Sequence, residues 1–472
     1  MIPSALHRRA LPLPLLLLVL ALGACTAGPD YVAPGLPVAP AWRAPVNGGA
    51  AARAPWWEAF GDPVLARLER EALAGNLSVE QALGRLDQAR ASLRGAGAAR
   101  LPAAEAGATA ARAQQSLNAG IGQLSRFVPD LPRTVNNGAA TISGSWDLDL
   151  AGGLRRREEA ARAGLAEAAA GVAAARHAVS AELAAAYFRL RVAEAQHKAV
   201  AALAEDARLR ERIGAARLGA GAASLAEQER LSALAEQAAA SLPDLAARIE
   251  QERSQIAVLT GHSPSLPPDL AGGFAFAAPD PLADVPAAVL AARPDVAAAE
   301  ARLIAANAGI GAALAEYWPS LSISGLFGLQ SNVFGNLVSG DSVAVQGAAG
   351  LRWRLFDFGR IDAQVKAARG RTREMLAAYR ETVLRAAADV ETAHAALAAS
   401  HEALARADTE TALIRKAHAR DAAAFRAGAI SRDAFSLSAS ALAQSELRLA
   451  AARGQRALAV VAAARALALP VD

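Results

Sequence analysis

The sequence predicts a mainly α-helical chain with a small β part, built as two tandem structural repeats of helix, strand, strand, long helix and helix. Three observations carry this expectation. Of 472 residues, 53% are apolar but only 4% aromatic, and much of the apolar remainder is alanine, a composition that favours long, closely packed helices over a bulky globular core. Proline is absent from Arg133 to Leu242 and from Ser320 to Leu469, so two windows can hold very long uninterrupted helices. Residue types also recur at a fixed spacing: Trp146, Leu148, Gly152, Gly221 and Ser224 are matched by Trp353, Leu355, Gly359, Gly428 and Ser431, an offset of 353 − 146 = 207. Upstream the offset is 319 − 102 = 217, pairing Val79 with Val296, Leu86 with Leu303 and Pro102 with Pro319, so the first repeat carries the longer loop, around Ser116 to Asn136.

Residues 1–24 read as a signal peptide, with His7, Arg8 and Arg9 as its charged region and Leu11 to Leu22 as its apolar stretch. That stretch is too short to span a bilayer comfortably, which takes ~20 residues. Leu22-Gly23-Ala24-Cys25 follows at the cleavage position and resembles the lipobox of bacterial lipoproteins, in which the new N-terminal cysteine is acylated; a covalent lipid on Cys25 is the one attached group expected. Thr26 rather than an aspartate follows, which by the same resemblance favours the outer membrane. Loss of Arg8 and Arg9 leaves +4 − 2 = +2 on the mature chain. Residues 25–63, rich in Pro, Gly and Ala, read as an extended lead segment crossing a surface.

The first repeat is expected over 64–260. Asp62-Pro63 caps its first helix, and Val64, Leu65, Leu68 and Leu73 recur at helical spacing. Strands are expected at about 103–115 and 139–150, where Ile142, Gly144, Trp146, Leu148 and Leu150 alternate with Thr141, Ser143, Ser145, Asp147 and Asp149. A long helix at about 153–217 and a hairpin tip at 217–224 follow. After a linker at 261–284, the second repeat (285–469) has strands at about 319–331 and 343–357, a long helix at about 360–426 and a tip at 426–431. In that helix Val383, Val390, Leu397 and Leu404 step by seven, with Met375, Tyr379, Ala386 and His394 between them, which is a coiled-coil seam. Each tip places Gly where a helix must end and Ser where the next begins: Arg217, Gly221 and Ser224 in the first, Arg426, Gly428 and Ser431 in the second.

The strands have one apolar face bearing tryptophan and one polar face. Four strands cannot close a spanning barrel and an open edge cannot face lipid, so either the strands lie outside a membrane or several chains share one barrel. In a barrel, Trp146 and Trp353 would form part of the membrane-interface aromatic girdle.

Lys and Arg number 49 against 45 Asp and Glu, and the only basic block is Arg155-Arg156-Arg157, so a nucleic-acid partner is not expected. A single cysteine excludes a disulfide framework and a multi-cysteine metal site. No catalytic constellation or nucleotide-binding motif is present, and no enzymatic activity is expected. Two Glu-x-x-His elements, Glu194 to His197 and Glu391 to His394, have the spacing of bundle metal sites. The repeat places Glu194 opposite His401, about 15 Å out of register along the helices, so no metal is expected there.

Several segments resemble the outer-membrane efflux proteins of the TolC type, in the NodT-like lipoprotein subgroup that serves RND pumps. They are Cys25 to Pro34 (CTAGPDYVAP), Trp56 to Leu65 (WWEAFGDPVL), SWDLDL before the first long helix, Ala291 to Leu303 (AARPDVAAAEARL), Tyr317 to Gly325 (YWPSLSISG) and Arg352 to Arg360 (RWRLFDFGR). The resemblance runs in order across the mature chain. It departs at Ala151-Gly152-Gly153, where the family commonly has an aromatic, Gly and Arg.

The resemblance implies a homotrimer in the outer membrane of a Gram-negative bacterium, with three sets of four strands forming one 12-stranded β-barrel continued by a long periplasmic α-helical barrel. It further implies a passive exit duct of a tripartite pump, whose tips meet a periplasmic membrane-fusion adaptor and whose energy comes from an inner-membrane RND-type transporter. Relatives commonly carry an acidic residue nine positions after the second tip glycine. This chain has Leu437 there and Asp433 four residues earlier, so a mixed periplasmic gate ring of Asp433 and Leu437 is expected. The alternative is a lipid-anchored periplasmic coiled-coil scaffold without a pore.

Overall fold

A computed structural model describes residues 26–35, 38–43, 54–118, 121–124, 126–128, 132–271 and 286–471. Its elements are α1 (Pro63–Gly75), α2 (Leu77–Ala98), β1 (Ala103–Gln114), α3 (Ile121–Leu124), β2 (Thr134–Asp147), α4 (Gly153–Gly219), α5 (Leu225–Ala239) and α6 (Leu242–Leu259). They continue with α7 (Pro286–Ala292), α8 (Pro294–Ala315), β3 (Ser320–Ser331), β4 (Val343–Arg352), α9 (Arg360–Arg426) and α10 (Arg432–Ala466). The long helices α4 and α9 have 67 residues each, so at 1.5 Å per residue each extends about 100 Å. The chain divides into two compact units, one drawn from Met1–Pro34, Asp87–Glu167 and Glu300–Ala378, the other from Gly35–Leu86, Ala168–Ala299 and Tyr379–Asp472.

The first unit holds a single antiparallel sheet in the order β1-β2-β3-β4, in which β1–β2 and β3–β4 are the strand pairs of the two repeats. The register pairs Ala103 with Ser145, Trp146 with Ile323 and Ser320 with Arg352. Two strand expectations are corrected. β2 begins at Thr134, because Gln114 at the end of β1 supplies its partner, and it stops at Asp147 rather than 150. β4 stops at Arg352 rather than 357, because Ser320, the first residue of β3, is the last available partner. The alternation of Trp353 and Leu355 therefore continues past the ladder.

Residues paired across the register share a face. One face carries Ile142, Trp146, Ile323, Phe327, Val345 and Leu351; the other carries Thr141, Ser143, Ser145, Ser322, Ser324 and Gln346. Among the described residues no layer covers the apolar face: Phe327 is 60% and Val345 74% exposed.

The second unit is helical, with a core that differs from the expectation for residues 25–63. Trp56–Phe60 forms a 3₁₀ turn that is buried rather than laid over a surface, because Trp56, Trp57 and Phe60 bring three large apolar side chains to the core with Leu65, Leu68 and Phe188. Phe60 packs on Phe188 with ring centroids 4.7 Å apart, and Trp56 Nε1 donates to Ser180 Oγ at 3.0 Å. Asp62 caps α1, accepting from the Val64 and Leu65 amides, and its other oxygen accepts from Tyr187 Oη at 2.6 Å. Burial, reinforced by that donation to a carboxylate, pushes the Tyr187 phenol up to about 12. On α9 the seam residues Tyr379, Val383, Ala386, Val390, His394 and Leu397 are buried, while Met375 and Leu404 at its two ends are half-buried. Arg293, between α7 and α8, donates to the Ala386 and Ala466 carbonyls and pairs with Asp295 and Asp389 at 2.8 and 3.0 Å, tying α8, α9 and α10 together. Of the expected linker, residues 261–271 carry no regular element and the rest lies outside the described residues.

Candidate functional site

Both hairpin tips are built alike. At the first, Gly221 has φ 68°, its N–H donates to the Leu218 carbonyl at 2.9 Å and the Ala222 N–H donates to the Arg217 carbonyl at 2.8 Å. At the second, Gly428 has φ 72°, with donation from Gly428 to Phe425 at 3.0 Å and from Ala429 to Ala424 at 2.9 Å. This double bond pattern satisfies the last carbonyls of a helix and requires a left-handed residue, which glycine adopts without strain. Ser224 Oγ then accepts from the Glu227 amide and Ser431 Oγ from the Ala434 amide, each at 3.2 Å, starting the return helix. Arg217 reaches Glu227 at 3.3 Å, Arg426 bonds the Ala422 carbonyl, and both side chains stay exposed at the ends of their hairpins.

Asp433 and Leu437 are both exposed, Leu437 by 74%, and four residues apart they share one face of α10. The residues just before each of them, Arg432 and Ser436, face α4 instead. Asp206 of α4 accepts from Arg432 Nη2 at 3.2 Å and from the Ser436 hydroxyl, and lies 3.4 Å from Arg210 Nε. The guanidinium of Arg432 also sits over the Phe425 and Phe435 rings, at 5.6 and 5.8 Å from their centroids. Those rings stack at 4.9 Å, and His418 stacks on Phe435 at 5.2 Å. This clamp fixes the rotation of α10 about its axis and so decides where Asp433 and Leu437 point. Sequence reasoning missed Asp206, Arg432 and Ser436: Asp206 is one charge among many on α4, and nothing local pairs it with a residue more than two hundred positions on.

The tryptophans reveal a symmetry that composition does not. Trp146 Nε1 donates to the Arg100 carbonyl at 2.9 Å and Trp353 Nε1 to the Tyr317 carbonyl at 3.0 Å. Tyr317 stands 317 − 100 = 217 positions after Arg100, the upstream offset, so each indole, at or just past the end of the second strand, ties that end to the same helix end in its own repeat. Their rings remain 39% and 57% exposed. A polar atom satisfied at one edge and an apolar ring left open suit the boundary between water and hydrocarbon.

The lead segment is seated at the β2–α4 corner, where the sequence departs from the family pattern. The Ala27 amide donates to the Ala151 carbonyl at 2.9 Å, and a Cβ on Gly152 (φ 73°) would come within 3.0 Å of Thr26 Cα. Arg156, buried on α4, holds the segment by donating to the Ala27 and Gly28 carbonyls at 3.0 and 3.1 Å and to Asp30 at 2.8 Å. Cys25 itself lies outside the described residues.

The Glu-x-x-His elements are occupied otherwise. Glu194 pairs with Arg191 and Arg253, and Glu391 Oε1 accepts from the Arg43 amide at 2.9 Å. His394 packs edge-on against Trp42, and burial pushes its imidazole pKa down. Among the described residues no group of three His, Cys, Asp or Glu side chains is placed to hold a metal, and no helix is long and apolar enough to cross a membrane.

Comparison with known proteins places this geometry. Residues 68–262 and 285–469 match the family described as Outer membrane efflux protein. The chain is 32% identical over 398 residues to the outer membrane protein OprJ of Pseudomonas aeruginosa, covering 81% of this chain and 79% of that one. It is 28% identical to nodulation protein T of Rhizobium leguminosarum bv. trifolii, over 80% of each. A solved structure of the outer-membrane channel OprN superposes with a TM-score of 0.81 at 27% identity, covering 95% of this chain and 100% of that one. The chain therefore belongs to the outer membrane efflux protein family and is a TolC-type efflux channel of the outer membrane with a large periplasmic part.

Proposed function

We propose that three copies of the chain assemble into one 12-stranded barrel continued by a periplasmic helical barrel, forming the passive exit duct of a tripartite pump. The observation that carries this is the sheet: four strands that, among the described residues, have free edges at β1 and β4, an uncovered apolar face and a polar opposite face. Lipid can cover the first face and an aqueous lumen the second, but only closure with other copies removes the edges from lipid. In this reading Cys25 carries the lipid, delivered to the membrane boundary by the segment that Arg156 holds at the β2–α4 corner. The exposed tips around Arg217, Gly221 and Ser224 and around Arg426, Gly428 and Ser431 meet a periplasmic membrane-fusion adaptor, and an RND-type inner-membrane transporter supplies energy. Asp433 and Leu437 form the periplasmic gate ring, and Asp206 with Arg432 and Ser436 holds it closed. Native mass measurement in detergent tests the assembly: a three-chain species is expected, and a monomer under conditions that preserve the fold would remove the shared barrel.

A further inference from the structure

On the polar face of the sheet, Glu105, the third residue of β1, is the one ionisable side chain that is not the terminal residue of a strand. The register aligns Glu105 of β1 with Ser143, Leu326 and Gln346 in a single row across all four strands. The other charges on that face, Asp147 and Arg352, are the last residues of β2 and β4. They belong to a cavity at the strand ends where Asp147, Asp149 and Glu316 meet Arg157, Arg352 and Arg354, three acids against three bases, so their charges cancel. Arg157 and Arg354 lie 3.7 and 3.5 Å from Glu316. Glu105 has no such balance. It lines a second concavity with Ser143, Ser145, Ser324 and Gln346, and no basic side chain is among the residues lining it.

We propose that Glu105 sets the charge preference of the barrel lumen: three copies form a carboxylate ring that favours cationic over anionic solutes, above the periplasmic gate and independent of it. This rests on the trimeric-duct reading, which turns the polar face of the sheet toward the axis. With strands spaced ~4.8 Å apart, a 12-stranded barrel holds the carboxylates about 10 Å from its axis. Three unit charges at that distance in water, screened over the Debye length, raise the cation-to-anion ratio on the axis about fivefold in 0.1 M salt and about twentyfold in 0.01 M.

The test is the reversal potential of single channels in planar bilayers under a KCl gradient, for the full-length wild type and for Glu105→Gln, Glu105→Asp and Glu105→Lys. Glu105 is exposed, so these variants leave the packing untouched. Glu105→Gln should lose about fivefold in cation preference at 0.1 M salt and more in dilute salt, Glu105→Asp should keep it, and Glu105→Lys should shift toward anions. In the wild type the preference should weaken as salt is raised. Conducting Glu105→Gln and Glu105→Lys channels with the wild-type reversal potential would overturn the assignment and leave the duct standing. A protein that passes no current even with Asp206→Ala in place would instead fell the duct reading itself.

Discussion

Replacing Asp206 with alanine should open the periplasmic end. Asp206 accepts from Arg432 at 3.2 Å and from the Ser436 hydroxyl, and its side chain is only 16% exposed. Arg432 Nε is buried without a hydrogen-bond partner, so loss of the carboxylate leaves the guanidinium poorly compensated. A hydrogen bond to a charged group contributes about 1.5–3 kcal/mol when buried, and an exposed ion pair up to about 1 kcal/mol. For this half-buried arrangement about 2 kcal/mol per protomer is reasonable, which is about a 30-fold shift in any equilibrium that breaks these contacts. Single-channel recording in planar bilayers reads the shift as a rise in open probability. Ser436→Ala should move it in the same direction by less, and the double variant should fall short of the sum because both changes remove partners of one carboxylate. A lowered melting temperature with unchanged open probability and conductance would instead show a clamp that only stabilises the helices.

Further outcomes follow from other sites. Leu437→Ser should raise single-channel conductance, since it replaces an apolar ring with a wettable one; unchanged conductance would displace Leu437 from the gate. Glu69, on α1, is fully buried, and burial holds its pKa well above the ordinary range, outweighing the opposing effect of the nearby Ser180 hydroxyl. As pH rises past about 4 the unfolded chain ionises here while the folded one stays protonated, so stability falls, and Glu69→Gln should raise the melting temperature more at pH 8 than at pH 5. An equal effect at both would contradict this. Arg156→Ala should speed hydrogen exchange in residues 26–31 while leaving the sheet protected, and unchanged exchange would mean that the segment is held otherwise. Cys25→Ser should abolish palmitate labelling, and a wild-type protein that takes up no palmitate would overturn the lipid anchor.

Much of the fold was legible because its signals are one-dimensional. The proline-free windows, the seven-residue step through Val383, Val390 and Leu397, and the offsets of 207 and 217 all report local periodicity or duplication, and the buried seam of α9 follows from them. Strand ends were less legible because a ladder stops where its partner stops. Trp353 keeps the alternation but has no residue of β3 opposite it. The 3₁₀ turn at Trp56–Phe60 was hidden by the Pro- and Gly-rich residues around it, although its two tryptophans signal burial. At the candidate gate, Asp433 and Leu437 could be placed by counting from Gly428. The residues that orient them could not, because the bonds from Arg432 and Ser436 to Asp206 join helices far apart in sequence, and partner choice among so many surface charges is a tertiary fact.

Whether the chain forms a passive duct across the outer membrane is read by adding purified full-length protein to planar lipid bilayers without adaptor, transporter or nucleotide. Discrete, ohmic current steps from a three-chain species are the predicted result. A protein that binds the bilayer through its lipid yet never passes current, even with Asp206→Ala in place, would contradict the account and favour an anchored coiled-coil scaffold.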